Sequence, residues 1–400
     1  MSGRAAAAPT GSPIPDSPIP DSPAPALPAP AGARERWLAL RDRLLASPRF
    51  QRWAAGFPLT RGIARRRARA LFDLTAGFVY SQVLLACVRL RLLEALRDGP
   101  QAAAPLAVRL SIPIDGCERL LRAAAALRLT APRAGGRWGL GDLGAALLGN
   151  PGAAAMVEHN ALLYADLRDP VALLRGEAGA TALGDYWPYA GAALPGALAA
   201  DRVAAYSRLM AASQPMIAAE VLDAYPVGRH RCLLDLGGGE GGFVAAAAAR
   251  APALQLMLVD LPAVAARAEA RLAGAGLAGR VQVLGRDFVR DPLPRGADLV
   301  TLVRVLHDHG DSAVAAILRA AHAALPPGGT LLIAEPMSGT PGAEPIGDAY
   351  FGLYLLAMGS GRPRSAGDLA ALLRAAGFSS TGNRPVRQPL LTSVIVARRD

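Results

Sequence analysis

The sequence predicts a Rossmann-like α/β domain behind a smaller, all-helical winged-helix domain. From Arg231 onward, short apolar runs (Cys232 to Leu236, Leu254 to Val259, Val281 to Leu284, Leu299 to Val303, Thr330 to Ala334) alternate with helical segments, the rhythm of repeated βα units and of a parallel sheet covered on both faces. The first run leads straight into Asp235-Leu-Gly-Gly-Gly-Glu-Gly-Gly and an Ala-rich helix. Upstream, a helix at Leu106 to Leu110, a break at Ile112-Pro113, a second helix opened by an Asp115 and Glu118 capping pair, and Gly136-Arg-Trp-Gly-Leu follow the order helix, turn, helix, short ribbon.

Four hundred residues, 52% of them hydrophobic, suffice for two domains with separate cores. Residues 1–33, with Ser12-Pro-Ile-Pro-Asp nearly repeated at Ser17, read as a disordered Pro/Ala-rich tail and lack the compact apolar block of a secretory signal, so the expected location is cytoplasmic. The most apolar stretch, Leu74 to Val88, reads as too short and too interrupted by Ser81 and Gln82 to span a bilayer, despite a mean hydropathy of +0.26. Cys87, Cys117 and Cys232, odd in number and far apart, read as reduced core thiols.

Of the net charge of +11, +9 falls within residues 34–69, where eleven Arg face only Glu35 and Asp42. Trp37, Leu40, Leu44 and Leu45, then Phe50, Trp53 and Phe57, recur at helical spacing between these arginines, and Pro48 divides them into two short amphipathic helices. So local a basic excess points to an anionic partner, lipid headgroups or nucleic acid. Leu71 to Arg97 reads as one helix packed in a core or, preferably, across a dimer interface; residues 70–152 make up the winged-helix unit, closed by Gly149-Asn150-Pro151-Gly152. Residues 153–228 form a mostly helical connector with turn signals at Asp169-Pro170, Pro188 and Pro195, carrying Tyr164, Tyr186, Trp187, Tyr189, Met210 and Met216; residues 229–400 are the α/β domain.

The chemistry concentrates at strand ends. Gly237, Gly239 and Gly241 let the backbone approach a nucleotide-like ligand at the first turn, although such a turn alone also suits a dinucleotide or simple packing. Asp260, closing the second strand, can accept both hydroxyls of a ribose; Asp287 at the end of the third, with Phe288, stands where an adenine amine and ring would lie. A dinucleotide site needs no such third acid. After the fourth strand, Arg304-Val-Leu-His307-Asp308-His309-Gly-Asp311 places an imidazole above the crevice, and a neutral His is the side chain best suited to take a hydroxyl proton near neutral pH. Glu335, closing the fifth strand, can hold its other nitrogen. For His309 a capping or solvent role is the better reading, and two His at i and i+2 without a completing Cys or His do not match a zinc site.

These residues resemble the caffeate- and flavonoid-type small-molecule O-methyltransferases over residues 70–398. The resemblance implies a class I methyltransferase domain, an N-terminal winged-helix dimerisation domain and S-adenosyl-L-methionine as methyl donor, without metal. It implies Asp235, Gly237, Gly239, Gly241, Asp260, Asp287, Phe288 and Arg304 as cofactor-binding residues, and His307, Glu335 and Asp308 as the catalytic set, His307 being the base. The chain departs from the pattern in carrying His309 for a Trp and Pro363 for a second flanking Glu, which leaves His307 with one expected carboxylate partner. Phe50-Gln-Arg-Trp, Phe57-Pro-Leu-Thr-Arg, Arg65-Arg-Arg-Ala-Arg-Ala-Leu-Phe-Asp-Leu and Phe78-Val-Tyr-Ser-Gln resemble, more narrowly, the carotenoid 1-hydroxyl methyltransferases of purple photosynthetic bacteria. That implies a carotenoid substrate, and it fits a basic arm at residues 34–69 resting on an anionic, intracytoplasmic membrane surface. The rivals are methylation of a phenol or polyketide, carbon methylation of a bacteriochlorophyll intermediate, and a winged-helix DNA-binding regulator. The last is disfavoured because Asp115 to Leu129 offers only Arg122 and Arg128 for contacts, so no nucleic-acid partner is expected. Tyr350, Phe351, Leu353, Tyr354 and Met358 are expected to line the substrate pocket, or to be plain core.

Overall fold

The structure, a computed structural model, describes residues 32–187, 213–390 and 392–400. The expected tail at residues 1–33 therefore falls almost wholly outside the described residues, as do Pro188, Tyr189, Pro195 and Met210. The chain divides into two compact units, one ending at Phe78 and the other spanning Val79–Asp400.

In the first unit, Pro48 separates two helices as expected: α1 (Ala33–Ala46) and α2 (Pro48–Gly56), the latter capped by the Ser47 hydroxyl, which accepts from the Phe50 amide. Phe50, Trp53 and Phe57 form a ladder of ring contacts at 5.6 and 5.1 Å. Trp37 is 61% exposed and Leu40, Trp53 and Leu59 are exposed too. The next helix, α3 (Arg61–Arg89), begins in the Arg-rich segment and continues through the apolar one. This revises two expectations. The helix has 29 residues and, by length and composition only, is long and apolar enough to cross a membrane. It also ends at Arg89 instead of Arg97: Arg91 adopts φ +55, and a separate turn, α4 (Leu92–Ala95), follows.

The second unit begins with the wing-bearing subdomain. Strand β1 (Gln101–Ala102), α5 (Ala103–Leu110), α6 (Ile114–Ala126), β2 (Thr130–Arg133), β3 (Arg137–Leu140) and α7 (Asp142–Leu148) follow in that order. Cys87, Leu92, Leu96, Leu106, Cys117, Leu121 and Leu129 make its core. The subdomain is not all-helical, since β1, β3 and β2 form an antiparallel sheet in that order, the ribbon and its partner around Trp138. Nor do Asp115 and Glu118 cap α6. Its N-cap is Pro113, and the two acids pair one turn on with Arg119 (2.9 Å) and Arg122 (2.6 Å), because charged partners at i+4 outcompete a cap that has no hydroxyl. Arg128 is paired with Asp142. The three cysteines are buried and free.

The connector contains α8 (Pro151–Asp166), capped by Asn150; α9 (Pro170–Arg175), capped by Asp169; α10 (Ala182–Tyr186); and α11, residues 213–224. Then come β4 (Cys232–Leu236), α12 (Gly242–Arg250), β5 (Gln255–Asp260), α13 (Pro262–Gly274), β6 (Val281–Gly285), β7 (Leu299–Val303), α14 (Asp311–Ala324), β8 (Thr330–Glu335), α15 (Phe351–Met358), α16 (Ala366–Ala375), β9 (Ser380–Arg384) and β10 (Ser393–Arg398). The sheet order is β6-β5-β4-β7-β8-β10-β9. The five predicted strands are parallel, but β10 pairs antiparallel with β8 and with β9, so the sheet is mixed. Ile217, Phe243, Val244 and Leu272, from α11, α12 and α13, cover one face; Val314, Ile317, Leu369 and Leu373, from α14 and α16, cover the other. Each fully buried side chain such as Phe243 contributes about 1.5–3 kcal/mol. The chain enters the sheet at β4, steps outward to β6 and returns to β7, so the direction of winding reverses beside β4, where an open α/β sheet leaves a crevice at the carboxyl ends of its strands.

Candidate active site

The loop after β4 has Gly237, Gly239 and Gly241 all at positive φ (+68, +56 and +80). A Cβ on Gly237 would lie 2.8 Å from the Val305 side chain and 3.6 Å from the Phe288 ring, so the loop is pressed onto the segment after β7; one on Gly239 would meet nothing within 4 Å. The Asp260 carboxylate, buried at the end of β5, fastens this loop by accepting from the Gly239 amide (2.8 Å) and its neighbour Leu261 (2.7 Å). Burial pushes its pKa up to about 6.

Asp235 is 1% exposed and lies beneath the loop, where Oδ1 accepts from the Thr301 hydroxyl at 2.6 Å. Burial, reinforced by the charge of Asp260 and opposed by Thr301, pushes it up to about 7. Its Oδ2 is buried without a hydrogen-bond partner among the described residues. Asp287 does not end its strand, as β6 stops at Gly285; it sits in the following turn, with Oδ1 accepting from the Val289 amide at 3.0 Å. Phe288 is buried and meets His309 edge-on at 6.0 Å. His309 is thus half-buried against an aromatic ring instead of facing solvent, and burial lowers its pKa.

Arg304 opens the segment after β7 in the left-handed region, φ +58, held there by its amide on Ala334 O (2.8 Å) and by Nη1 donating to the Ser213 hydroxyl of α11 (2.9 Å). The next residues form a 3-10 turn, Leu306–Asp308. Glu335 secures it with both oxygens: Oε1 accepts the Val305 and Leu306 amides at 2.8 and 2.7 Å, and Oε2 bonds His307 Nδ1. The expectation of a single carboxylate partner is corrected here, since Asp308 Oδ1 lies 3.2 Å from His307 Nε2. Burial pulls the His307 pKa down, and the charges of Asp308 and Glu335 more than reverse this, leaving it raised. The imidazole therefore sits between two carboxylates, oriented by one and facing the other.

The sheet thus gathers the expected residues at one end, with Asp235 under the loop and the rest around the crevice. Sequence reading missed several neighbours. Tyr354 on α15, expected as pocket lining or core, accepts from Trp187 Nε1 (2.7 Å) and bonds His159 Nε2 (2.6 Å). Burial lowers the His159 pKa to about 4, so the ring is neutral. Phe351 contacts the His307 ring edge-on at 5.7 Å, and Tyr350 donates to Asn160 Oδ1 at 2.9 Å. His159 and Asn160 lie in an Ala-rich helix with no motif around them, and Ser213 and Arg364 carried no signal either. A separate cavity of about 500 Å³, lined by Pro215, Leu222, Ala246, Arg250 and Arg271, holds none of the candidate residues.

Glycine loops serve many ligands on α/β sheets. What narrows the class is the buried, carboxylate-backed histidine across the crevice from such a loop, which together with the wing-bearing subdomain defines a class I methyltransferase. Residues 164–379 match the O-methyltransferase domain family, and residues 72–150 the O-methyltransferase dimerisation domain. The chain is 45% identical to demethylspheroidene O-methyltransferase of Cereibacter sphaeroides, over 89% of this chain and 94% of that protein. It is 40% identical to demethylspheroidene O-methyltransferase of Rhodobacter capsulatus, over 89% and 88% of the two chains. Among solved structures, CalO1, a methyltransferase of calicheamicin biosynthesis in its SAH-bound form, superposes with a TM-score of 0.69 at 28% identity, over 84% of this chain and 98% of that one. The chain belongs to the O-methyltransferase family and is an S-adenosylmethionine-dependent O-methyltransferase. The residues present fit that cofactor: open space faces Gly239, and the Oδ2 of Asp235 is a buried acceptor left for a donor at the loop.

Proposed function

We propose that the enzyme methylates the tertiary 1-hydroxyl of an acyclic carotenoid of the hydroxyneurosporene or demethylspheroidene type, with His307 as general base. The observation that carries the catalytic part is the setting of His307, with Nδ1 bonded to Glu335 and Nε2 directed at Asp308. With Nδ1–H donating to Glu335, Nε2 is the atom that takes the hydroxyl proton, and the two carboxylates stabilise the imidazolium as it forms. S-adenosylmethionine, when bound, supplies an electrophilic sulfonium methyl. Asp260 and Asp287 would hold its ribose and adenine, with Phe288, Arg304 and the loop from Asp235 to Gly241 as the other residues that would bind it. The carotenoid assignment is supported by the names of the two bacterial relatives.

A homodimer is supported by the dimerisation match and by the exposed Phe72, Leu74 and Phe78 along α3. Residues 34–69 dock on the anionic surface of the intracytoplasmic membrane, from which the cytoplasmic enzyme collects its lipid-borne substrate; the support is the +9 charge beside exposed Trp37, Trp53 and Leu59. Flotation with anionic vesicles but not neutral ones is expected, and equal flotation refutes the docking.

The deciding assay follows labelled methyl from S-adenosylmethionine into hydroxyneurosporene-type carotenoids in membranes, for wild type and His307→Ala, with a phenol as control. Label on the carotenoid that vanishes in the variant is expected. Label on the phenol alone refutes the carotenoid assignment, and an undiminished rate in His307→Ala refutes the base.

A further inference from the structure

The turn bearing His307 closes few of its own hydrogen bonds. Leu306 O accepts the His309 amide within the turn (3.2 Å), and all four carbonyls from Leu306 to His309 are gripped by one segment some fifty residues later. Arg364 Nη1 donates to Leu306 O (2.8 Å), the Arg362 amide to His307 O (2.9 Å), the Ser360 hydroxyl to Asp308 O (2.7 Å), and Arg364 Nη2 to His309 O (2.8 Å). Gly361 lies between them at φ +78, so close that a Cβ there would stand 2.0 Å from His307 O.

Arg364 is 3% exposed. A buried guanidinium persists only where its N–H groups are paired, and this one spends them on the turn and on Asp311, the first residue of α14, through Nε (3.1 Å) and Nη2 (2.7 Å). The planar fork therefore ties both ends of the turn to the start of the next helix, a geometry that a lysine, with a single ammonium, cannot reproduce. Glu335 grips the same turn by its amides. The turn is thus held on its amide side by Glu335 and on its carbonyl side by Arg364.

We propose that Arg364 is a positioning residue for His307: through the carbonyls of Leu306 and His309 it holds the turn in the orientation that keeps Nδ1 on Glu335 and Nε2 beside Asp308. It touches neither substrate nor cofactor in this role. The inference rests on His307 being the base, and the test separates the two.

Methyl transfer is measured for Arg364→Lys and Ser360→Ala, each alone and combined with His307→Ala, alongside the cofactor Kd of every variant. A misplaced base costs on the order of 100-fold in rate, so Arg364→Lys should lower kcat by about 10- to 100-fold while KM and the cofactor Kd stay within about twofold. Loss of one neutral hydrogen bond in Ser360→Ala, a truncation mild enough to fold, should cost about threefold to tenfold. Neither substitution should lower the residual rate of His307→Ala further, because their effect passes through the imidazole. Wild-type rates in both single variants, while His307→Ala is impaired, overturn the positioning role and leave the base intact. Equal losses with and without His307 overturn it too, marking a general structural role. A His307→Ala enzyme at full rate fails the base itself.

Discussion

Glu335 holds His307 from two directions at once, bonding Nδ1 of the ring with one oxygen and the amides of Val305 and Leu306 with the other. Ring and backbone are thereby oriented by a single carboxylate at the end of a central strand. Glu335→Gln preserves the shape but removes the charge that stabilises the imidazolium. A fall in kcat of about 100-fold is expected in steady-state assays, with the cofactor Kd unchanged. A rate near wild type would show that the charge is not used.

The pH profile follows from the same pair. His307 accepts a proton only when neutral, and its pKa is raised because the charges of Asp308 and Glu335 outweigh the opposing effect of burial. kcat/KM should therefore rise with pH along an acid limb lying above the ordinary histidine range. Asp308→Asn should move that limb to lower pH; an unmoved limb would assign it to another group.

Asp235 makes a prediction about stability. Folding raises its pKa to about 7, so the protonated form favours the folded state. That contribution is full below the unfolded pKa of about 4 and is lost as pH rises through about 7. Thermal unfolding of the cofactor-free enzyme should show Tm declining across this window, and Asp235→Asn should flatten the decline. Identical slopes in the two proteins would contradict it.

Tyr354 satisfies both Trp187 Nε1 and His159 Nε2. Tyr354→Phe removes both of these buried hydrogen bonds, a loss of about 1–3 kcal/mol in denaturant unfolding. Stability within about 0.5 kcal/mol of wild type would mean that water replaces the hydroxyl.

The apolar face of α3 tests the assembly. Leu74 and Phe78 are exposed, on a helix whose later part begins the dimerisation match. Leu74→Glu with Phe78→Glu should convert a dimer to a monomer in sedimentation experiments, and a persisting dimer would place the interface elsewhere.

Much of this site was legible in one dimension, because α/β folds place chemistry at strand ends and strand ends are marked by where apolar runs stop. Asp260, His307 and Glu335 each follow such a run, and the sheet brings them together as that rule requires. Strand β9 escaped because Ser380-Thr-Gly-Asn-Arg has no apolar alternation; it is strand only because the antiparallel β10 pairs it. The capping role expected of Asp115 and Glu118 failed for a similar reason, as arginines one turn away captured both acids.

By itself, then, the sequence determined the α/β class, the positions of the five parallel strands along the chain, the glycine loop and the acids and imidazole that follow those strands, all properties of local pattern and residue chemistry. Only the tertiary structure decided which partners those groups have. That Asp308 faces Nε2, that Asp235 is buried beneath the loop, that Arg364 grips the turn from 58 residues beyond Leu306, and that His159 meets Tyr354 across 195 residues are consequences of packing. Contacts between residues so far apart leave no periodic trace in the chain, since their spacing is set by how the elements stack and not by the repeat of any one of them.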